Sequence, residues 1–253
     1  MPHRKNVVVT GSSGIAAATA RRLSVAGHRV FVISRTEASC ESLVGELGLN
    51  GAGWAAVDLR DEASTVAAFS QSAATLGRID AVVAVAGGSA RKMGDGWLHD
   101  MSLDAWDASL QLNLSTMFLT AREAVRHMRS EGGSLVMTSS VLAASPQPDG
   151  FATHGYAATK AAISGWTTSL AAAYARNSIA VNTVAPGLVR TPMAARAAEN
   201  PEIVAFAERK QPLSHGFLAP EHVASALCWF VDAQAVTGQV LSIDGGWGVT
   251  STS

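Results

Sequence analysis

The sequence predicts an α/β fold: a parallel β-sheet of about seven strands with helices on both faces. Short runs rich in β-branched residues alternate along the chain with longer segments rich in Ala, Leu and Arg, which is the pattern of strand–helix–strand units. Several runs, such as Ile79–Val85, are apolar almost throughout, as expected of strands covered on both faces. No linker rich in Pro, Gly or Ser divides the 253 residues, so we expect one domain over residues 1–253.

The elements are expected in regular alternation, joined by right-handed crossovers. The predicted strands are Asn6–Thr10, Arg29–Ser34, Gly53–Val57, Ile79–Val85, Ser134–Ser139, Ile179–Val184 and Gln239–Ile243. The predicted helices are Gly14–Ala26, Glu37–Leu47, Asp61–Leu76, Ser102–Arg129, Tyr156–Arg176, Thr191–Lys210 and Pro220–Phe230. Gly27 follows the first helix, where a left-handed residue commonly ends a helix. Asp61 and Ser102 stand where N-caps accept the first backbone N–H groups, and Ser140–Gly155 is predicted as a loop over a site.

The composition excludes several classes of partner. The 19 basic and 20 acidic residues give a net charge of −1, which provides no electrostatic footprint for nucleic acid or an anionic membrane. No apolar run reaches the roughly 18 residues that span a membrane, and the first apolar run is too short for a signal peptide. Cys40 and Cys228 are far apart and the histidines form no ligand cluster, so we expect a cytoplasmic protein without a metal site.

The segment Thr10–Ala16 is a glycine-rich turn between the first strand and the first helix. Glycines at this place let the backbone approach a pyrophosphate, and the N-terminus of the helix favours its charge. The turn therefore predicts a dinucleotide site, with a tight turn that holds no ligand as the alternative.

The end of the second strand distinguishes between two dinucleotides. An acidic residue there would bind the adenosine ribose hydroxyls of NAD(H), but the strand ends Ile33-Ser34-Arg35. The Arg35 guanidinium suits the 2′-phosphate of NADP(H), so we expect NADP(H), with NAD(H) less favoured and a solvated Arg35 as the alternative. Asp58-Leu59 is expected beside the adenine and Ala86-Gly87 beside the nicotinamide ribose.

Tyr156 and Lys160 stand four residues apart on a predicted helix, hence on one face. A tyrosine with a pKa near 10 is a poor base at neutral pH, and lowering that pKa by about three units requires roughly 4 kcal/mol. A lysine ammonium about 4 Å away supplies about that much at an effective dielectric constant near 20. The pair is therefore predicted to exchange a proton with an alcohol or a carbonyl compound.

These features together resemble the short-chain dehydrogenase/reductase family over essentially the whole chain. The matching motifs are Thr10–Ala16, Asp58-Leu59, Ala86-Gly87, Asn113, Ser140, Tyr156 with Lys160, Val181–Gly187, Thr237–Leu241 and Asp244–Gly246. The resemblance implies a Rossmann-like, doubly wound sheet of strand order 3-2-1-4-5-6-7. It also implies hydride transfer between nicotinamide and a ketone or secondary alcohol, in a homotetramer or homodimer.

The resemblance further implies a role for each site residue. Tyr156 is the general acid in reduction and the base in oxidation, and Ser140 hydrogen-bonds the substrate oxygen, with Ser139 as the alternative. Lys160 lowers the pKa of the tyrosine and binds the nicotinamide ribose, while Asn113 holds a water that links Lys160 to solvent. The residues expected to contact the cofactor are Gly11, Ser12, Ser13, Gly14, Ile15, Ser34, Arg35, Asp58, Leu59, Ala86, Gly87, Tyr156, Lys160, Pro186, Gly187, Val189 and Thr191.

The chain departs from the family pattern at two places. The family's turn is Thr-Gly-x-x-x-Gly-x-Gly, whereas here one residue is missing between Gly11 and Gly14, and Ala16 replaces the last glycine. The family's Asn-Asn-Ala-Gly is Ala84-Val85-Ala86-Gly87 here. We expect the lost amides to be replaced by backbone contacts and apolar packing.

The substrate pocket is expected from Gly88–Trp97, Val141–Gly155 and Leu188–Lys210. Its candidate side chains are mostly apolar: Met93, Trp97, Leu142, Phe151, His154, Leu188, Met193 and Phe206. No cation stands out as a clamp, although Arg91, Lys92 and Arg190 stay open, so we expect an uncharged, fairly apolar substrate. A 3-oxoacyl thioester reductase is one version of this hypothesis, and the alternatives are a lyase or epimerase, or a dinucleotide-binding protein without turnover.

Overall fold

The structure is a computed structural model that describes residues 4–147, 150–233 and 235–251. The strands in these ranges are β1 (Asn6–Thr10), β2 (Arg29–Ser34), β3 (Gly51–Ala56), β4 (Ala81–Ala84), β5 (Gly133–Thr138), β6 (Ile179–Pro186) and β7 (Val240–Ile243). All of them pair in parallel, in the order β3-β2-β1-β4-β5-β6-β7. The predicted fold class and strand order are confirmed, and each strand begins and ends within two residues of its predicted bounds.

Helices fill the connections between the strands. They are α1 (Gly14–Val25), α2 (Glu37–Glu46), α3 (Glu62–Leu76), α4 (Leu103–Ser109), α5 (Thr116–Met128), α6 (His154–Tyr174), α7 (Ala195–Ala198), α8 (Pro201–Lys210) and α9 (Pro220–Asp232). A π-helical turn, Leu110–Ser115, joins α4 to α5, so the predicted helix Ser102–Arg129 is present with a change of pitch in its middle. Residues 148 and 149 of the predicted loop Ser140–Gly155 lie outside the described residues.

The two faces of the sheet contribute to two different cores, because successive residues of a strand point to opposite faces. In β1, Val7 and Val9 join the core beneath α1, α2 and α9. Val8 joins the core beneath α3, α5 and α6. All three valines are fully buried, which explains why the strands are apolar almost throughout.

The predicted helix boundaries are confirmed where capping residues set them. The Asp61 carboxylate accepts the backbone N–H of Ser64 at 2.8 Å, and the Ser102 hydroxyl accepts the N–H of Ala105 at 3.1 Å. Gly27 has φ +89°, the left-handed conformation that lets the chain leave α1 for β2 without strain.

The prediction of one helix over Thr191–Lys210 is wrong. The structure has a 3₁₀ turn at Pro192–Ala194, then α7, then α8. The break falls at Asn200-Pro201, because proline cannot donate to the preceding turn and disfavours helical conformation in the residue before it. The Asn200 side chain then accepts the N–H groups of Glu202 and Ile203 and begins α8.

The topology predicts which edge of the sheet binds a ligand. The strand order reverses between β1 and β4, and ligands of doubly wound sheets bind at the carboxyl ends of strands beside such a reversal. Within the described ranges, no helix is long and apolar enough to cross a membrane. In the same ranges, His, Cys, Asp and Glu side chains form no group of three or more that could hold a metal ion.

Candidate active site

A cleft of about 670 Å³ opens at the carboxyl edge of the sheet. Every residue that the sequence predicts to contact a dinucleotide lies in its lining. Ser139 and Ser140 line it as well, while Asn113 lies behind the wall. The structure therefore brings together side chains that follow different strands and are up to 180 residues apart in the chain.

The glycine turn is well formed although it is one residue short. Gly11 and Gly14 have φ +101° and +53°, which other residues rarely adopt. A Cβ on Gly11 would lie 2.9 Å from the Ala16 Cβ, so Gly11 provides the space that the Ala16 methyl occupies. Ser13 makes no side-chain cap hydrogen bond and the first turn of α1 has no acidic residue. The first N–H groups of α1 therefore suit a pyrophosphate.

Thr10 takes over the anchoring that the family's asparagines would provide. Its Oγ1 accepts the backbone N–H groups of Val85 at 3.1 Å and Ala86 at 3.2 Å. This hydroxyl ties the carboxyl end of β1 to the segment that follows β4. The expected replacement of the family's amides by backbone contacts and apolar packing stays a prediction.

Two arginines lie at the end of the cleft that follows β2 and β3. The Arg60 Nε donates to both carboxylate oxygens of Asp58, at 2.9 Å and 3.0 Å. These hydrogen bonds lower the pKa of Asp58 to about 2, so Asp58 and Arg60 form a closed ion pair. Arg35 is exposed and makes no ion pair within the described ranges. Of the two arginines, Arg35 is therefore the one without an ion pair among the described residues, although its charge also acts on Asp58. The sequence analysis did not consider Arg60.

Asn113 is held against the loop that follows β4. It lies in the π-helical turn Leu110–Ser115, a feature that is frequent at functional sites. Its Oδ1 accepts the N–H of Gly88 at 3.0 Å, and its Nδ2 donates to the Gly88 carbonyl at 3.0 Å. A Cβ on Gly87 would lie 2.8 Å from this Oδ1 and 3.8 Å from Lys160 Nζ. Glycine at 87 thus leaves room for both side chains.

The two serines after β5 point in different directions. The Ser139 hydroxyl donates to the Lys160 carbonyl at 2.7 Å and is hydrogen-bonded to Ser164 at 2.7 Å, so it fastens β5 to α6. The Ser140 hydroxyl is hydrogen-bonded to the hydroxyl of Tyr156 and accepts the N–H of Leu142 at 3.2 Å. The geometry favours Ser140 over Ser139 as the serine that meets a substrate oxygen.

Lys160 lies beside Tyr156, and burial shifts the pKa of both groups. Lys160 Nζ donates to the Thr138 carbonyl at 3.0 Å and lies 5.5 Å from the Tyr156 ring centroid. Burial raises the pKa of Tyr156, against the opposing hydrogen bond from Ser140. Burial also lowers the pKa of Lys160 to about 8. Burial is the larger influence on the pKa of each group, and the lowering of the tyrosine pKa by Lys160 stays a prediction.

The structure adds a buried carboxylate that the sequence analysis missed. Asp95 accepts the backbone N–H groups of Gly155 and Tyr156, each at 2.9 Å. It thus caps the N-terminus of α6, the helix that carries Tyr156 and Lys160, from a loop about 60 residues earlier. Its negative charge also opposes the positive end of the helix. Asp95 positions the start of α6 relative to the cleft.

Asp95→Ala is expected to lower the free energy of unfolding by about 1–3 kcal/mol, because two buried N–H groups lose their acceptor. Asp61→Ala is the matched control, since the Asp61 carboxylate also accepts a backbone N–H at the start of a helix but is exposed and does not line the cleft. We expect it to cost about 1 kcal/mol or less. Thermal unfolding and kcat are measured for both variants. Asp95→Ala should also lower kcat, and an unchanged kcat would contradict its positioning role.

Half of the side chains predicted for the substrate wall line the cleft. The predicted residues that line the cleft are Leu142, Phe151, Leu188 and Met193, and those that do not are Met93, Trp97, His154 and Phe206. Trp247, which the sequence did not single out, is buried, lines the cleft and packs edge-on against Phe151 at 5.5 Å between ring centroids. Its Nε1 donates to the Ser145 carbonyl at 3.0 Å. Only the fold brings this C-terminal tryptophan to the site.

The lining also carries two arginines at its substrate end. Arg91, which the sequence left open, lines the cleft together with Arg196, which it did not consider. Lys92 and Arg190 do not line it. Of the three cations that the sequence left open, the structure therefore places only Arg91 in the lining.

The fold and the cleft define the class of dinucleotide-dependent oxidoreductases. The comparisons with known proteins agree. A family model described as enoyl-(acyl carrier protein) reductase matches residues 9–248. Cis-4-hydroxycyclohexanecarboxylate dehydrogenase of Sinomonas cyclohexanicum is 36% identical over 249 residues, which are 95% of each chain.

Solved structures show the same likeness over the whole chain. A short-chain type dehydrogenase/reductase from Mycobacterium ulcerans has a TM-score of 0.90 and 29% identity, covering 99% of this chain and 92% of that one. An actinorhodin polyketide ketoreductase variant with NADPH has a TM-score of 0.86 and 28% identity, covering 98% of this chain and 100% of that one. The chain belongs to the short-chain dehydrogenase/reductase family, and the predicted membership is confirmed.

Proposed function

We propose that this oxidoreductase transfers a hydride between NADP(H) and a ketone or secondary alcohol. The observation that carries the proposal is one cleft that joins Tyr156, Ser140 and Lys160 at one end to the glycine turn and Arg35 at the other. The names of the relatives support this reaction class, since one is a dehydrogenase of a hydroxylated ring and another a polyketide ketoreductase.

The reaction follows from the positions of the side chains. The bound nicotinamide supplies or accepts the hydride. In reduction, the Tyr156 hydroxyl donates a proton to the substrate oxygen, and the Ser140 hydroxyl hydrogen-bonds that oxygen as its charge develops. With a pKa of about 8, Lys160 is charged at neutral pH and stabilises the phenolate that remains. Asn113 holds the Gly88 backbone and, as proposed from the resemblance, keeps a water that returns the proton.

The preference for NADP(H) rests on the end of β2. No acidic residue stands there, and the Arg35 guanidinium is exposed in the lining with no bound carboxylate. A guanidinium binds a phosphate through charge-assisted hydrogen bonds. The NADPH in the related ketoreductase structure supports the same preference. The remaining predicted contacts, from Gly11 to Thr191, are part of this proposal.

The proposal is tested first by cofactor binding and then by turnover. NADPH and NADH are titrated into the purified protein and followed by nicotinamide fluorescence. We expect NADPH to bind at least about tenfold more tightly, a difference of about 1.4 kcal/mol. Ketones are then screened by the loss of NADPH absorbance. Failure to bind either cofactor would contradict the proposal and would favour a shortened turn that no longer holds a dinucleotide.

A homodimer or homotetramer remains a proposal that the family membership supports. Two surfaces with exposed apolar side chains suit a contact between subunits. Phe118 on α5 and Trp166 on α6 are stacked, with ring centroids 6.3 Å apart, and Phe118 is exposed. Val240 and Leu241 of the edge strand β7 are exposed as well. A cytoplasmic location likewise remains a proposal from the sequence.

A further inference from the structure

Two arginines lie in the part of the cleft that faces the loop before α6. Arg91 follows β4, and its Nη2 donates to the Gly150 carbonyl at 2.8 Å. Arg196 lies on α7, and its positive charge acts on Arg91. Gly150 lies against Ile203 of α8, since a Cβ on Gly150 would be 3.8 Å from the Ile203 Cδ1. The two arginines therefore lie among elements that enclose the substrate end of the cleft. Arg35 lies at the other end.

Among the residues that the structure describes, no carboxylate forms an ion pair with either arginine. By contrast, Arg60, Arg78, Arg122 and Arg126 all form one. Asp95 is an acid whose charge acts on Arg91, but its two oxygens already accept backbone N–H groups at the start of α6. Like charges repel, and the repulsion is stronger beside an apolar wall than in water.

We propose that Arg91 and Arg196 form a subsite for an oxyanion, a carboxylate or a phosphate, carried by the substrate at a distance from its reacting carbonyl. The inference rests on the proposed function, because it assigns the substrate class of the same cleft. A guanidinium presents N–H donors in a planar fork that matches these anions. An anion bound between the two arginines offsets the repulsion between their charges. An uncharged substrate leaves that repulsion in place.

The rest of the lining determines what the anion is attached to. The same cleft is lined by apolar side chains, among them Leu142, Phe151, Ile203 and Trp247. The substrate is therefore an apolar skeleton with the ketone or alcohol at one end and the oxyanion at the other. The sequence analysis expected an uncharged substrate. The proposed substrate is instead apolar in its middle and carries a negative charge at one end.

Matched pairs of ketones test the subsite. For a carboxylate, the pair is 4-oxocyclohexanecarboxylate and its methyl ester. For a phosphate, the pair is acetoacetyl-CoA and the phosphate-free S-acetoacetyl-N-acetylcysteamine. We expect kcat/KM to be at least about tenfold higher for the anionic member of one pair. Which pair shows the preference identifies the anion. Equal kcat/KM within both pairs would overturn the inference.

Variants then locate the effect. Arg91→Gln with Arg196→Gln is expected to remove the preference for the anionic ketone while the uncharged partner and the affinity for NADPH stay unchanged. Lys92→Gln is the matched control, because Lys92 is exposed, adjacent in sequence and outside the lining. Equal losses for both ketones, or a weaker affinity for NADPH, would overturn the inference, since the arginines would then serve the fold or the cofactor.

A binding measurement separates this inference from the proposed function. Cyclohexanecarboxylate, which has no carbonyl to reduce, is titrated calorimetrically into the protein with and without NADPH, with cyclohexanemethanol and inorganic phosphate as comparisons. Binding of the carboxylate or phosphate that the double variant loses supports the subsite even if no ketone is reduced. Reduction of uncharged ketones without any binding of these anions leaves the proposed function standing and overturns the subsite.

Discussion

Tyr156→Phe is expected to lower kcat for ketone reduction by about 10²- to 10⁴-fold, the usual contribution of a positioned general acid. The substitution removes one hydroxyl that is hydrogen-bonded to Ser140 in the cleft. The ring that remains keeps its packing, so we expect the affinity for NADPH to change little. The measurements are single-turnover rates and cofactor titration of both proteins.

The other tyrosine of the chain supplies the control. Tyr174 lies on the same helix, α6, and packs at the edge of the core. Tyr174→Phe removes a hydroxyl from this helix without touching the cleft, and its kcat should stay within about twofold of the wild type, since it has no part in the proton transfer. Substantial residual turnover in Tyr156→Phe would refute the assigned acid. A similar loss in both variants would point to a general effect on α6.

The pKa shifts of Tyr156 and Lys160 predict how ketone reduction depends on pH. Burial raises the pKa of Tyr156, so the hydroxyl is protonated throughout the neutral range and suited to donate in reduction. The pKa of Lys160 is lowered to about 8, so its ammonium is lost as the pH rises through that value. Below about pH 8, a protonated Tyr156 therefore lies beside a charged Lys160. We expect ketone reduction to be faster below this pH than above it.

The sequence predicted the sheet because its signals are local. β-Branched runs, the cap at Asp61 and the glycine at 27 each act within one turn or one strand, and each is confirmed. The broken helix after Thr191 was also a local signal, since Asn200-Pro201 can cap and begin a helix. It was outweighed in the prediction by the alanines on both sides of it.

The parts of the site that the sequence did not predict depend on distant contacts. Asp95 meets the start of α6 across about 60 residues, and Trp247 meets Ser145 across about 100. No spacing rule in one sequence relates such pairs, because the crossovers that bring them together have variable lengths. The same holds for Arg91 and Arg196, which follow different strands, are about 100 residues apart and line the same cleft. Motif residues are found from sequence, whereas substrate recognition needs the fold.

Arg35→Asp is expected to reverse the cofactor preference, changing the ratio of kcat/KM for NADPH over NADH by about 100-fold or more. Loss of a charge-assisted hydrogen bond to the 2′-phosphate accounts for about 1.5–3 kcal/mol. The new carboxylate repels that phosphate and accepts hydrogen bonds from the ribose hydroxyls of NADH instead. Because every 1.4 kcal/mol is tenfold, these effects together reach the expected ratio.

Arg22→Asp is the control for a reversed charge, because Arg22 is exposed on α1 and lies outside the cleft lining. Its cofactor ratio should match the wild type, since the screened field of a distant surface charge is small. Arg60 cannot replace Arg35 as the selector while its guanidinium is bound to Asp58. An unchanged ratio in Arg35→Asp would therefore mean that Asp58 releases Arg60 when the cofactor binds. The preference would then be determined by the end of β3 and not by the end of β2.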